Sequence, residues 1–325
     1  MYHRVWITWE RQRRSLELSS ALGCKLFVLE HKGLYRYLRC IFSTVKIVHR
    51  ERPKCLFVQN PSMVLACLAV LFLRFFYRPF IIVDRHSNFM LNNKSRFSIY
   101  ELFFRILSMV TIRLADLTIV TNEELSNHIE LEGGKPFVLP DKIPCINAIN
   151  QNNCNSPSVL FISSFASDEP ISTIWDAAEI LKASNITFYV SGNTNKLNKA
   201  LYKKKPTNII LTGYLPDQNY IDLLFCVDIC IILTRSEYTL LCGCYEAIAA
   251  GRPFITSNTK VLQHLFKEAF FVENNAESIV DGIKNILENP KTYRLKVLNM
   301  LDVLNKSWTV KFSELNRFID SLVES

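Results

Sequence analysis

The run from Thr234 to Phe254, TRSEYTLLCGCYEAIAAGRPF, gathers the residue types that could hold a phosphorylated, hydroxyl-rich ligand. DICIILT before it reads as a buried strand, and CGCYEAIAAG reads as a helix that starts only after the loop RSEYTLL. A loop at the carboxyl end of a parallel strand is where ligands of such units bind. The helix start offers unpaired N–H groups and a positive dipole end, and Gly243 has no side chain to keep a diphosphate away from that backbone. Glu246, about one turn further on, is placed to accept hydrogen bonds from both hydroxyls of a ribose. Thr239, Leu240, Leu241 and Cys242 line the passage from loop to helix, and Arg235 could meet the phosphates. The same composition also fits an ordinary strand–loop–helix unit whose Glu246 faces water.

A second group of candidates lies in the first half. VDRHSNF ends a buried strand and directs Asp84, Arg85 and His86 to the same kind of edge, where His86 could orient hydroxyls or transfer a proton. In TWERQRR, after the first strand, Trp9 could stack on a sugar and Glu10 could act as base. Arg13 and Arg14 could hold a phosphate on a second ligand, and Arg85 is a further candidate contact for it. Solvent-facing helix residues and a structural histidine are the plain alternatives.

These segments need a scaffold that brings strand ends together. Strand-like and helical stretches alternate along the whole chain, which predicts α/β architecture with two doubly wound, Rossmann-like domains facing a central cleft. The first half reads as VWITW, a helix over 13–22, KLFVLE, a helix over 34–51, CLFVQN stopped by Pro61, an apolar helix, PFIIVDRH, a helix over 97–114, DLTIVTN and KPFVLPDK. The polar run over 143–157 cannot bury a core and marks a linker, so the expected domains are 1–150 and 151–325, with the last helix a candidate to pack back on the first.

Charge is divided unevenly. Residues 1–150 hold 21 Lys and Arg against 12 Asp and Glu, and residues 151–325 hold 17 against 18. The basic half carries Arg and Lys beside apolar helices, a pattern of membrane-surface docking, and no nucleic-acid motif is present. Ten cysteines form no CxxC pairs, so neither metal nor disulfide framework is expected, and Cys226 and Cys230 read as packing residues. Met63–Leu73 is too short before Arg74 to span a bilayer and reads as a buried or interfacial helix. With no targeting peptide ahead of the first strand, a cytoplasmic protein is expected, at the inner face of the plasma membrane.

The segment SEYTLLCGCYEAIAAGRPFITS resembles the donor site of GT-B glycosyltransferases of the glycosyltransferase 4 (group 1) type. Glu246, Ala247, Gly251, Pro253 and Ile255 match that family's EA helix and G-x-P-x-I, and VEN with AESIVDGIKNIL matches the strand and helix that follow. The resemblance implies a nucleoside-diphosphate sugar donor, Glu246 on the ribose, and a preceding acid near the transferred sugar. The usual spacing puts that acid at Tyr238, whereas Glu237 lies nine positions before Glu246. The loop SSFASDEP, which includes the donor-site candidate Ser164, lacks the Arg and Lys that often grip the diphosphate in this family. The implied activity is a metal-independent, hexosyltransferase-like sugar transfer without cofactor. The acceptor would be a carbohydrate or lipid-linked molecule in surface polysaccharide assembly. A nucleotide-sugar epimerase of the same fold and a non-catalytic partner subunit are the rival readings.

Overall fold

A computed structural model describes residues 3–59, 63–86, 99–150, 154 and 157–324. The chain forms two compact units, Met1–Asp141 with Trp308–Ser325, and Lys142–Ser307. Among the described residues each unit is built on a sheet of six parallel strands.

In the first unit the strands are β1 (Arg4–Thr8), β2 (Lys25–Val28), β3 (Cys55–Gln59), β4 (Phe80–Asp84), β5 (Leu117–Val120) and β6 (Pro136–Val138), in the order β2-β1-β3-β4-β5-β6. The central strands are runs of Val, Ile, Leu and Phe because helices cover both faces, so no face is left for polar alternation. All five residues of β3 are buried. One face packs Val5, Ile7, Leu56 and Val58 against the helices Arg36–Glu51 and Met63–Cys67. The other packs Trp6 on Phe57, with ring centroids 5.2 Å apart, together with Ile82 and Ile119.

The second unit runs β7 (Ser158–Phe161), β8 (Thr187–Ser191), β9 (Ile209–Gly213), β10 (Ile229–Ile232), β11 (Phe254–Ser257) and β12 (Phe270–Val272), in the order β12-β11-β10-β7-β8-β9. Counting from β7, this is the 6-5-4-1-2-3 order of a dinucleotide-binding sheet, whose direction of winding reverses between β7 and β10. Asn275 caps the helix Ala276–Glu288 by accepting from the N–H of Ser278 at 2.8 Å, as a short polar side chain before an amphipathic stretch is suited to do.

The expected helix over 97–114 is found as Ile99–Leu114, and its first two residues, like Pro61, lie outside the described residues. The apolar stretch after β3 forms a helix over Met63–Cys67, a π-helical turn over Leu68–Leu73 and a last α turn over Arg74–Tyr77. No helix among the described residues is long and apolar enough to cross a membrane.

Two expectations are corrected. The polar run after residue 142 is not free chain throughout: Ile143 is buried in the second unit's core, and the Asp222 carboxylate accepts from the backbone N–H of Ile149 at 2.9 Å and from the Asn150 amide at 2.8 Å. Residues 151–153, 155 and 156 of that run are outside the described residues. Cys226, read as a packing residue, is joined to Cys154 in a disulfide across 72 positions, a pairing that spacing could not reveal.

The helix Pro290–Glu324 contributes to both cores. Val297 and Met300 are buried in the second unit, whereas Trp308, Leu315 and Ile319 are buried in the first, where the Trp308 indole donates to the carbonyl of Pro140 at 3.2 Å. Leu315→Ala should therefore cost about 2–5 kcal/mol, the range for emptying a filled leucine site. Denaturant unfolding of the purified variant would check this; a change below about 0.5 kcal/mol would show that this part of the helix is not held in the first core.

Candidate functional site

The reversal between β7 and β10 leaves a crevice at their carboxyl ends, and two loops enter it. The loop after β7 is gathered around one carboxylate. Glu169 accepts from the backbone N–H of Ser164 at 2.9 Å, the Ser164 hydroxyl at 2.7 Å and the N–H of Phe165 at 3.0 Å. Gly192, with φ +117°, stands beside this loop, because a Cβ there would lie 2.4 Å from the Ser163 carbonyl oxygen.

The loop after β10 is tied to the first through Thr234 and Asp168. The buried Thr234 hydroxyl donates to the Asp168 carboxylate at 2.5 Å, and the N–H of Arg235 donates to the Asp168 carbonyl at 2.8 Å. Ser257 accepts from the N–H of Thr234 at 2.9 Å, and Asn274 donates to the Thr234 carbonyl at 2.9 Å. These bonds satisfy backbone groups that the loop would otherwise bury unpaired, and they hold the loop against β11 and β12.

The helix Cys242–Ala249 follows, and no side chain caps its start. Gly243 is buried and faces inward: a Cβ there would meet Ile232 at 3.0 Å and Ile162 at 3.1 Å. Its small size lets the helix lie close on β10 and β7, so its first reason is packing, a correction to the expectation that it clears space for a ligand. Glu246 is half-buried and accepts a hydrogen bond from the Tyr220 hydroxyl at 2.5 Å. Burial and the neighbouring Glu246 carboxylate both raise the Tyr220 phenol above its ordinary pKa, so it stays a donor.

The remaining candidates in this segment divide by exposure. Ser164, Arg235, Glu237, Thr239 and Cys242 are exposed, with Thr239 hydrogen-bonded to Ser236 at 2.7 Å, while Leu240 and Leu241 pack against the second unit's core. The Arg235 guanidinium makes no ion pair among the described residues.

In the first unit, four expectations meet a different outcome. Trp9 is 1% exposed, and its indole donates to Thr44 at 3.0 Å, so its faces belong to the core and not to a sugar. Arg14 is buried, pairing with Asp84 at 3.0 Å and Asp141 at 2.6 Å and donating to the Leu139 carbonyl at 2.9 Å, which leaves no fork for an acceptor phosphate. Arg85 is also buried, donating to Ser108 at 2.8 Å and Thr111 at 3.0 Å, and burial lowers its pKa to about 10. Arg13 pairs with Glu17 one turn along its own helix at 2.8 Å.

Glu10 is half-exposed beside Arg36 at 2.9 Å. His86 lies 3.2 Å from Asp84 through Nδ1, leaving the far side of the ring for other contacts. Burial alone would raise the Asp84 pKa; Arg14 and His86 outweigh it and hold the carboxyl below its usual range. No cluster of three His, Cys, Asp or Glu able to hold a metal ion is found among the described residues.

Residues 144–296 match the family model of Glycosyl transferases group 1. The second unit thus carries a segment of the group 1 glycosyltransferase type. No curated protein sequence matches it. Its fold is similar to sucrose-phosphate synthase of Thermosynechococcus elongatus, with a TM-score of 0.72 at 14% identity over 92% of this chain and 83% of that one. It is also similar to HepE of Anabaena in complex with UDP and glucose, with a TM-score of 0.68 at 13% identity over 97% and 91%. A candidate UDP-N-acetylglucosamine 2-epimerase from Listeria monocytogenes shares the fold at a TM-score of 0.62 and 13% identity, over 92% and 91%. At such identities the likeness establishes GT-B architecture, and the family model supplies the transferase assignment.

In this transferase, the residues that sequence reading missed are Asp168, Thr234, Ser257, Asn274 and Tyr220. Their signal was faint, since each is a common polar residue made important by a partner 17 to 66 positions away. In the first unit Asp84 and Arg14 were each noticed, but not as partners, and Asp141 was not noticed.

Because Arg14 neutralises a fully buried carboxylate, Arg14→Met should destabilise the protein by about 3–5 kcal/mol at pH 7. A depressed carboxyl pKa stabilises the fold above the unfolded pKa and loses that contribution as pH falls through the folded pKa. In the variant Asp84 protonates more readily, so the deficit should shrink between about pH 6 and pH 4. Urea unfolding at both values tests this; a deficit that does not change with pH would remove Asp84 ionisation as its cause.

Proposed function

We propose that this glycosyltransferase takes its sugar from a nucleoside diphosphate bound by the second unit. The observation that carries this is Glu246, oriented by Tyr220 on a helix whose start is uncapped, at the winding reversal and within the family-matched segment. Glu246 accepts the ribose hydroxyls, and the N–H groups at Leu241, Cys242 and Gly243 receive the diphosphate. The complex of HepE with UDP and glucose supports a uridine nucleotide as the first donor to try.

In this reading Glu237, exposed on the loop after β10, meets the departing sugar, and Ser164, Arg235, Thr239 and Leu240 supply further donor contacts. The helix dipole stabilises the leaving diphosphate without a metal. In the first unit, His86 serves as the group that orients or deprotonates the acceptor, its ring held by Asp84. Glu10, exposed at the end of β1, is a second acceptor contact. The acceptor is a lipid-linked saccharide or lipid phosphate. Support comes from the basic first half and from the exposed Leu34, Tyr35, Tyr37 and Leu38 next to Arg36 and Arg39, after the carboxyl end of β2. The setting that follows is surface polysaccharide assembly at the cytoplasmic face of a membrane.

A non-catalytic partner subunit is the second reading, favoured by one observation: the loop after β7 presents Asp168 and Glu169 where a diphosphate would welcome cations. Turnover separates the two. UDP-glucose and UDP should raise the melting temperature of the wild-type chain, and Glu246→Ala should weaken binding by on the order of 10- to 100-fold, the loss of hydrogen bonds to a charged acceptor. Donor-dependent UDP release with lipid phosphates supports transfer. If Glu246→Ala leaves both donor binding and turnover intact, the assignment of the site is wrong.

A further inference from the structure

The edge of the first sheet opposite Asp84 and His86 carries a cavity of about 960 Å³. Its walls come from residues just before the strands: Lys54 precedes β3, Pro79 precedes β4, and Leu114 and Asp116 precede β5. Val70, Leu71, Phe75 and Leu114 supply apolar surface, and Lys54, Arg74 and Arg78 supply three cations against the single carboxylate of Asp116. Arg74 is fixed as part of the wall by Asp116 at 2.6 Å, whereas Arg78 is exposed and makes no ion pair among the described residues.

The surface beside this groove is unusually apolar. Phe72, Phe75 and Phe76 are 58%, 77% and 68% exposed, and on the neighbouring helix Ile99–Leu114, Leu102 and Phe103 are 61% and 59% exposed. Single exposed apolar residues are normal, but three phenylalanines within five positions beside a second apolar face mark a docking surface. Next to them Arg52 stands over the Tyr77 ring at 5.0 Å. Aromatic side chains flanked by Arg52 and Arg78, neither of them in an ion pair among the described residues, suit the interface of an anionic bilayer, where the rings enter the acyl boundary and the cations meet phosphates.

We propose that this edge seats the protein on an anionic phospholipid membrane, with one lipid's acyl chain along Val70, Leu71 and Leu114 and its phosphate at Arg78. The site lies a full strand length, about 17 Å, from the edge that carries His86, so this lipid is an anchor and not the acceptor. The inference rests on the membrane-facing part of the proposed function and not on sugar transfer.

Flotation of the full chain with vesicles tests it. The wild type should float with equimolar phosphatidylcholine–phosphatidylglycerol vesicles and not with phosphatidylcholine alone. Phe75→Ser with Phe76→Ser should lower the partition coefficient at least about tenfold, and Arg78→Gln about fivefold. The UDP-induced melting shift should stay unchanged in each variant, which separates this surface from the donor site. If UDP shifts no protein while flotation behaves as stated, the donor reading fails and the anchor stands. Equal flotation with neutral vesicles, undiminished flotation of the variants, or self-association of the wild type without vesicle binding would overturn the proposal.

Discussion

A parallel sheet covered by helices on both faces leaves its strand ends as the places where the backbone can meet a ligand. In this chain that constraint operates twice. The strand interiors are nearly all apolar, so polar groups are displaced to the loops at either edge. In the second unit the loops after β7 and β10 must then satisfy their own buried backbone groups. Thr234 does this from the centre, linking Asp168 on one side with Ser257 and Asn274 on the other. The helix that starts at Cys242 inherits its position from this stitched loop and from Gly243, whose missing side chain allows close packing on Ile232 and Ile162.

The first unit meets the same constraint with charge. Asp84 ends β4 fully buried, a position that is costly for a carboxylate unless cations and donors surround it. Arg14 is drawn in from the helix after β1 and Asp141 from beyond β6, so the network ties three parts of the chain together. His86 is the outward member of the network, and its ring is oriented by a carboxylate whose charge is secured from behind. A structural ion network and a positioned imidazole are one arrangement seen from two sides.

Legibility in the sequence followed range. Strands such as CLFVQ and FIIVD were readable because burial on both faces writes itself as an unbroken apolar run, and EAIAAGRPF was readable because a family shares it. Trp9, Arg14 and Arg85 were correctly placed at strand ends, yet their roles were misread, because which way a side chain turns there depends on Thr44, Asp84, Asp141, Ser108 and Thr111, far away in sequence. Gly243 was singled out for the wrong reason, since composition cannot tell a glycine facing a ligand from one facing isoleucines. The disulfide to Cys154 and the docking of residues 149 and 150 on Asp222 were invisible for the same reason.

The acidic loop after β7 poses the sharpest electrostatic question for the donor site. Its two carboxylates are both committed: Asp168 accepts from Thr234, and Glu169 accepts from two backbone N–H groups and two serine hydroxyls. Donated hydrogen bonds spread and partly offset their negative charge, so they act mainly as internal ties. In the proposed site, what remains to face a diphosphate is the positive end of the helix Cys242–Ala249 and the exposed Arg235, one cation on the neighbouring loop. A helix end contributes at most about half a unit charge, less than an Arg and Lys pair would supply. In the proposed site, donor affinity must then lean on the ribose contacts assigned to Glu246, which makes the Tyr220 hydrogen bond that orients that carboxylate more consequential than it would be in a site gripped by cations.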